Sequence, residues 1–172
     1  MSYSPAAMDT KTPLELHRER VRDEWIDYNG HMNVAYYVLV FDHATDDFLD
    51  FVGLDSAYRE RTKTTTFTAE GHITYDREVM RGDPLRVTTQ LLGYDEKRLH
   101  HFHAMYHAEK GYLASTCEFL SLHIDATRRR VAPMGHEILL RAQTLWADHK
   151  QLPRPPQSGR SVSLTAKRAA GG

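Results

Sequence analysis

Between residues 34 and 52, apolar groups fall at 34, 37, 38, 41, 48, 49 and 52, and the Thr45 methyl fills the remaining gap. Steps of three and four predict one amphipathic helix of about 18 residues. Asp42, Asp46 and Asp50 follow one another at i+4 on a different face. Asn33 ahead of the run has the side chain of an N-cap, and Gly53 behind it is a natural stop. The stripe is wide, so the helix is expected to be deeply packed.

Before and after the helix the pattern changes to period two. HRERVRDEW (17–25) reads as a short strand. In 65–78, Phe67, Ala69, Gly71, Ile73 and Tyr75 alternate with Glu70, His72 and Asp76 on the other face. RGDP (81–84) is a turn, and LRVTTQLLGY (85–94), RLHHFHAMYHA (98–108) and YLASTCEFLSLHI (112–124) read as three more strands. Their short connections predict a sequential antiparallel meander. A second helix is expected after Pro133. The resulting class is α+β, a curled antiparallel sheet of five or six strands wrapped around a long central helix. Such a sheet leaves a long edge, which is expected to pair with a second subunit.

The 172 residues suit one domain, placed at 16–148 between a flexible lead-in (1–15) and a Pro/Arg-rich, partly ordered tail (149–172). Charge is nearly balanced, with 22 Lys+Arg against 23 Asp+Glu, which argues against a nucleic-acid partner. No long apolar run predicts a membrane span, and the N-terminal stretch lacks the apolar core of a signal peptide. The single cysteine, Cys117, fits a reducing compartment, and a cytoplasmic location is expected.

The candidate chemistry lies in IDYNGHMNVAYY (26–37), at the mouth of the helix. Asp27 is a carboxylate that can act as nucleophile or general base. The first-turn amides of the helix lack intrahelical partners and carry the positive end of its dipole, so they can stabilise an oxyanion. Gly30 lets the backbone approach a ligand closely. His31 and Asn33 complete the constellation. Asp before Asn-Gly is also a common turn signature, and the residues alone leave both readings open.

Asp27-Tyr-Asn-Gly-His-Met-Asn33, then Tyr37 and the helix ending FLDFVGL, resembles the hotdog-fold acyl-CoA thioesterases, in particular the 4-hydroxybenzoyl-CoA thioesterase-like group. The likeness covers about residues 17–125 and continues in FTAEGHITYDREVMRGDPLRVTTQLLGYDEKRLH (67–100). It implies a catalytic aspartate at Asp27, three residues before the glycine at the helix entrance. It also implies a homodimer with sites between subunits, possible further pairing into a dimer of dimers, and no cofactor, coenzyme A being part of the substrate. WIDYNGH, FDHATDDFLDFVGLD, FTAEGHITY and GYDEKRLHHFH are similar to the betainyl-CoA branch of that family.

That branch implies an acyl group bearing a trimethylammonium cation, for which Trp25, Tyr28, Tyr36, Tyr37 and Phe67 offer aromatic faces and Asp42 and Glu70 offer charge. Arg77, Arg81, Lys97 and Arg98 are candidates for the CoA phosphates. An aromatic or fatty acyl-CoA, or acyl-CoA binding without turnover, are the alternatives. The eleven histidines include His101, His103 and His107 on one face of a strand, a face expected at solvent or between dimers and joined there by His72 and His123. A zinc ion on such a strand would need a further ligand, and thioester cleavage of this type needs none, so no metal site is assigned.

Overall fold

The computed structural model describes residues 9–164; the ends of the lead-in (1–8) and of the tail (165–172) lie outside the described residues. The chain runs β1 (Leu14–Arg20), a 3₁₀ turn (Asp23–Trp25), α1 (Val34–Val52), α2 (Ser56–Thr62), β2 (Thr64–Tyr75), β3 (Pro84–Tyr94), β4 (Arg98–His107), β5 (Leu113–Asp125), β6 (Arg130–Val131) and α3 (His136–His149). The curled antiparallel sheet wraps α1, which is the hotdog arrangement.

Helix α1 begins where the side chain of Asn33 accepts the Ala35 N–H at 3.0 Å. It ends where Gly53 takes a left-handed φ of 92° and its N–H donates to Asp50 and Leu49 carbonyls. Tyr37, Val40, Phe41, Ala44, Thr45, Phe48, Leu49 and Val52 are its buried stripe. The first half packs with Val21, Trp25, Leu85, Val87 and Met105; the second half packs with Leu14, Leu91, Leu99 and Ile138 from α3. Val34 and Val38 stay 55% and 39% exposed, so the stripe is wider than one chain covers.

Three strand expectations need correction. The strand expected over 17–25 runs instead from Leu14 to Arg20, because its inward pair is Leu14 and Leu16. The chain then turns, so that Val21 and Trp25, four apart, both reach the core. The sheet order is β1-β3-β4-β5-β2, with β6 on β5. Only β3, β4 and β5 form a meander; β2 lies beyond β5, at the opposite side from β3. Segment 76–83 therefore crosses the mouth of α1, where Val79 is fully buried and its carbonyl accepts the Met32 N–H at 3.0 Å.

The third correction concerns the alternation along β2. Thr68 faces Ser121 and Glu70 faces Leu120, leaving Ala69 as an extra residue. A bulge reverses the face of everything on one side of it. Phe67 therefore shares the outer face with Glu70 and His72, while Gly71, Ile73 and Tyr75 face inward opposite Phe119, Cys117 and Ser115. Each of the other three long pairings also carries one register shift, and bulges of this kind curl a sheet.

Candidate active site

Residues 27–33 form a closed loop. The Asp27 N–H donates to the His31 carbonyl (3.1 Å), and the Gly30 N–H donates to the Asp27 carbonyl (3.0 Å). Gly30 has φ of 83°, which a side chain would disfavour. The Asp27 carboxylate spans the loop: Oδ1 accepts the Asn29 N–H at 2.8 Å, and Oδ2 faces Asn33 Nδ2 at 3.5 Å. One oxygen is tied in an Asx turn and the other is held only weakly. Asn33 thus serves both the helix, through its Oδ1, and the carboxylate, through its Nδ2. Val34 follows as the first helical residue, whose N–H has no intrahelical acceptor.

The loop is one wall of a cleft of about 450 Å³, lined by Asp27, Tyr28, His31, Asn33, Val34 and Tyr37. The other wall is the end of β2 and the crossing segment: Tyr75, Asp76, Arg77 and Glu78. Tyr37 and Tyr75 meet edge to face at 5.4 Å, and burial pushes both phenols up, so they remain neutral. The Tyr37 hydroxyl accepts the Val79 N–H at 3.2 Å, pinning one wall to the other. His31 sits between them, Nε2 4.0 Å from Glu78. A carboxylate, an opening helix amide, two tyrosines and further acidic groups thus meet in one cleft.

The family model for the thioesterase-like superfamily matches residues 21–142. The chain belongs to this superfamily. A betainyl-CoA thioesterase from Pseudomonas aeruginosa is 40% identical over 88% of this chain and 95% of that one. A hypothetical protein from Staphylococcus aureus, solved in complex with CoA, superposes with a TM-score of 0.82 at 31% identity, covering 88% of this chain and 96% of that one. A putative thioesterase from Pseudomonas putida gives 0.78 at 36% identity, over 90% of this chain and 99% of that one. The protein is an acyl-CoA thioester hydrolase of hotdog fold.

Of the residues singled out in the sequence, this thioesterase brings Asp27, Tyr28, His31, Asn33, Tyr37 and Arg77 to the cleft, with Gly30 at its turn. Arg77 stacks over Tyr112 at 4.0 Å. Trp25 and Tyr36 stack on each other at 5.5 Å behind the loop, Trp25 in the core and Tyr36 half-buried. Arg81 is paired with Asp23 at 2.8 Å. Asp42 lines a separate hollow with Asp46, Arg59 and Thr65. Glu70 lines another, with His72, His100 and Glu118, and Phe67 is exposed on the same outer face. Lys97 lies in the β3–β4 turn and Arg98 opens β4, paired with Glu96 and Asp95 respectively, toward the C-terminal end of α1. Tyr75, Asp76 and Glu78 were not foreseen as lining residues, because a meander would have carried them away from the helix mouth.

The histidine face of β4 is a second surprise. His101, His103 and His107 do share a face, but it is the inner one, with His101 and His103 fully buried against α1. The opposite face, carrying Phe102 and Ala104, turns outward and is partly covered by Pro155–Gln157. His101 and His103 are tolerated there because a hydrogen-bond network satisfies them, whereas the Nε2 of His107 has no hydrogen-bond partner among the described residues and lies 3.4 Å from Asp83. Thr45 donates to the Phe41 carbonyl, so its oxygen accepts from His103 Nε2 at 3.0 Å. His103 Nδ1 meets Thr89 at 2.9 Å, and His101 joins His103 at 3.1 Å and Ser121 at 3.0 Å. His123 faces inward as well, with Tyr58 and the Ala132 carbonyl, whereas His72 is on the outer face. Cys117 is buried, and desolvation pushes its thiol far above the range of a reactive thiolate.

Proposed function

We propose that this thioesterase hydrolyses betainyl-CoA to glycine betaine and CoA, with Asp27 as the reacting carboxylate. The likeness of the chain to a betainyl-CoA thioesterase along nearly its whole length carries the choice of acyl group. The cleft supports it: a trimethylammonium head can lie against the exposed Tyr75 ring, which Tyr37 backs, with Asp76 and Glu78 near, while the carbonyl reaches Asp27.

In the water-mediated form, Asp27 takes a proton from water and the hydroxide forms the new C–O bond. In the nucleophilic form, Asp27 itself bonds to the carbonyl carbon, and water then cleaves the anhydride. In both, the oxyanion faces the helix mouth, where the Val34 amide opens α1, and the C–S bond breaks as CoA thiolate leaves and is protonated. Asn33 and His31 orient the carboxylate and the loop. Arg77 is placed to take a CoA phosphate.

The working unit is proposed to be a homodimer. β2 is an outer strand of twelve residues, and Val34, Val38 and Tyr75 leave apolar surface open beside it. A second chain there would cover that surface and add to the cleft. No helix among the described residues is long and apolar enough to cross a membrane, and the enzyme is proposed to act in the cytoplasm.

A thioesterase panel with betainyl-, benzoyl- and short aliphatic CoA tests the reading. The expected result is the highest kcat/KM with betainyl-CoA, with glycine betaine as a competitive inhibitor and its uncharged tert-butyl isostere weaker. Preference for benzoyl- or aliphatic CoA would overturn the choice of acyl group. Intact thioester after long incubation would overturn turnover itself.

A further inference from the structure

Away from the cleft, β1 and α1 bring four metal-ligating side chains together. His17 and Glu19 are two apart on the strand; His43 and Asp47 are one turn apart on the helix. The Glu19 Oε1 lies 2.9 Å from His17 Nε2 and 3.0 Å from His43 Nδ1, and one ligand atom from each of the three falls within 4.8 Å of the others. The Glu19 and His17 side chains are mostly buried, 13% and 14% exposed, and His43 is one-third exposed. His17 Nδ1 is held by Asp47 at 2.8 Å. Beyond these four, Arg22 approaches the other Glu19 oxygen, at 3.9 Å.

We propose that His17 Nε2, His43 Nδ1 and Glu19 form a binding site for a divalent transition-metal ion of the zinc class, with Asp47 orienting His17 and water completing the coordination. Two imidazoles and a carboxylate are a donor set that zinc accepts with one open position. Nitrogen and oxygen ligands at 2.0–2.1 Å from a tetrahedral ion stand about 3.3 Å apart, so Glu19 has to draw back from each imidazole by only a few tenths of an ångström, with the two imidazole nitrogens, which lie within 4.8 Å of each other, settling at the same spacing. The contact from Asp47 to the far nitrogen of His17 is the carboxylate–histidine arrangement that fixes tautomer and ring orientation in metal sites. Both His17 nitrogens face carboxylate oxygens, and a bound ion takes the place of any proton on Nε2. The bound ion ties the outer strand β1 to the central helix, and a ligand that binds only the folded chain stabilises it.

The site is independent of Asp27, and zinc is not proposed to take part in thioester cleavage. The test uses tag-free, chelator-stripped protein titrated with Zn²⁺ alone by calorimetry, with Co²⁺ absorption as a spectroscopic readout and Tm as a third. The expected result is one equivalent per chain, tetrahedral Co²⁺ bands and a raised Tm. His43→Ala should abolish all three, Asp47→Asn should weaken affinity by about 10- to 100-fold, and Asp27→Asn should bind as wild type does. Circular dichroism confirms that His43→Ala is folded. No stoichiometric uptake, or equal uptake by His43→Ala, would show that the cluster holds protons only and overturn the proposal.

Discussion

Asn33 Nδ2 stands 3.5 Å from Asp27 Oδ2 while Asn33 Oδ1 caps the helix at Ala35, so one side chain sets both the acid and the start of α1. The two duties can be separated. Asp27→Asn keeps the loop's Oδ1 contact to Asn29 and the fold, and should lower hydrolysis by about 10²-fold or more, with Tm nearly unchanged. Asn33→Ser retains a capping oxygen but loses the amide near Asp27; it should lower kcat with little loss of stability. Asn33→Ala should add a stability loss of about 1 kcal/mol. Steady-state kinetics with thermal melts check all three, and unchanged turnover in Asp27→Asn would remove that carboxylate from the chemistry.

The helix, its cap and its stop were legible because period 3.6 and capping chemistry are local. So were the glycine turn and the aspartate before it. The neighbours of β2 were not: Thr64–Tyr75 has the same alternation whether it pairs with β3 or with β5, and only the full packing around α1 decides. That choice put Asp76 and Glu78 beside Asp27. The bulge at Ala69 was equally hidden, since one extra residue leaves no mark in composition yet moves Phe67 to the face of Glu70. The histidines of β4 were correctly given one face but assigned the wrong side, because polarity argued for solvent, and their partners Thr45, Thr89 and Ser121 come from three other elements.

Those histidines make stability depend on pH. Burial, with the nearby His100 adding to it, holds the His101 pKa down to about 3, against 6.5 in an unfolded chain. Between these values the unfolded chain binds a proton that the folded chain refuses. The contribution is therefore complete above pH 6.5 and is lost as pH falls toward 3, at about 1.4 kcal/mol per unit for one histidine. His103 is shifted the same way, again by burial first. Denaturant midpoints at pH 7.5, 6.5, 5.5 and 4.5 should fall more steeply in the wild type than in His101→Gln. Parallel curves would mean that His101 is protonated in the folded state.

Gly71 is required by Phe119 rather than by its backbone angles. A Cβ at this position would lie 2.8 Å from Phe119 Cε1 and 2.9 Å from Cδ1, and that ring is packed in the core. Gly71→Ala should destabilise by about 1–3 kcal/mol through overpacking. Phe119→Leu removes the ring, so in the double variant the added methyl should cost much less than in the wild-type background. A double-mutant cycle from urea unfolding measures the coupling; additive losses would show that the strain lies elsewhere.

The cleft's far wall is pinned to the side chains of α1 by the hydrogen bond from the buried Val79 N–H to the Tyr37 hydroxyl. Tyr37→Phe keeps the ring and its edge contact with Tyr75 but leaves that N–H without its acceptor. An unsatisfied buried donor costs about 1–3 kcal/mol, so the variant should unfold at lower urea. Because segment 76–79 also carries Asp76, Arg77 and Glu78 to the site, the same change should raise KM more than it lowers kcat. Hydrogen exchange at the Val79 amide reads the cause directly: it should accelerate in Tyr37→Phe, while amides of the β4–β5 pairing keep their protection. Unaltered exchange at Val79 would mean that the segment is held by its other contacts, from Met32 to the Val79 carbonyl and from the Asp76 and Arg77 amides to Ala114.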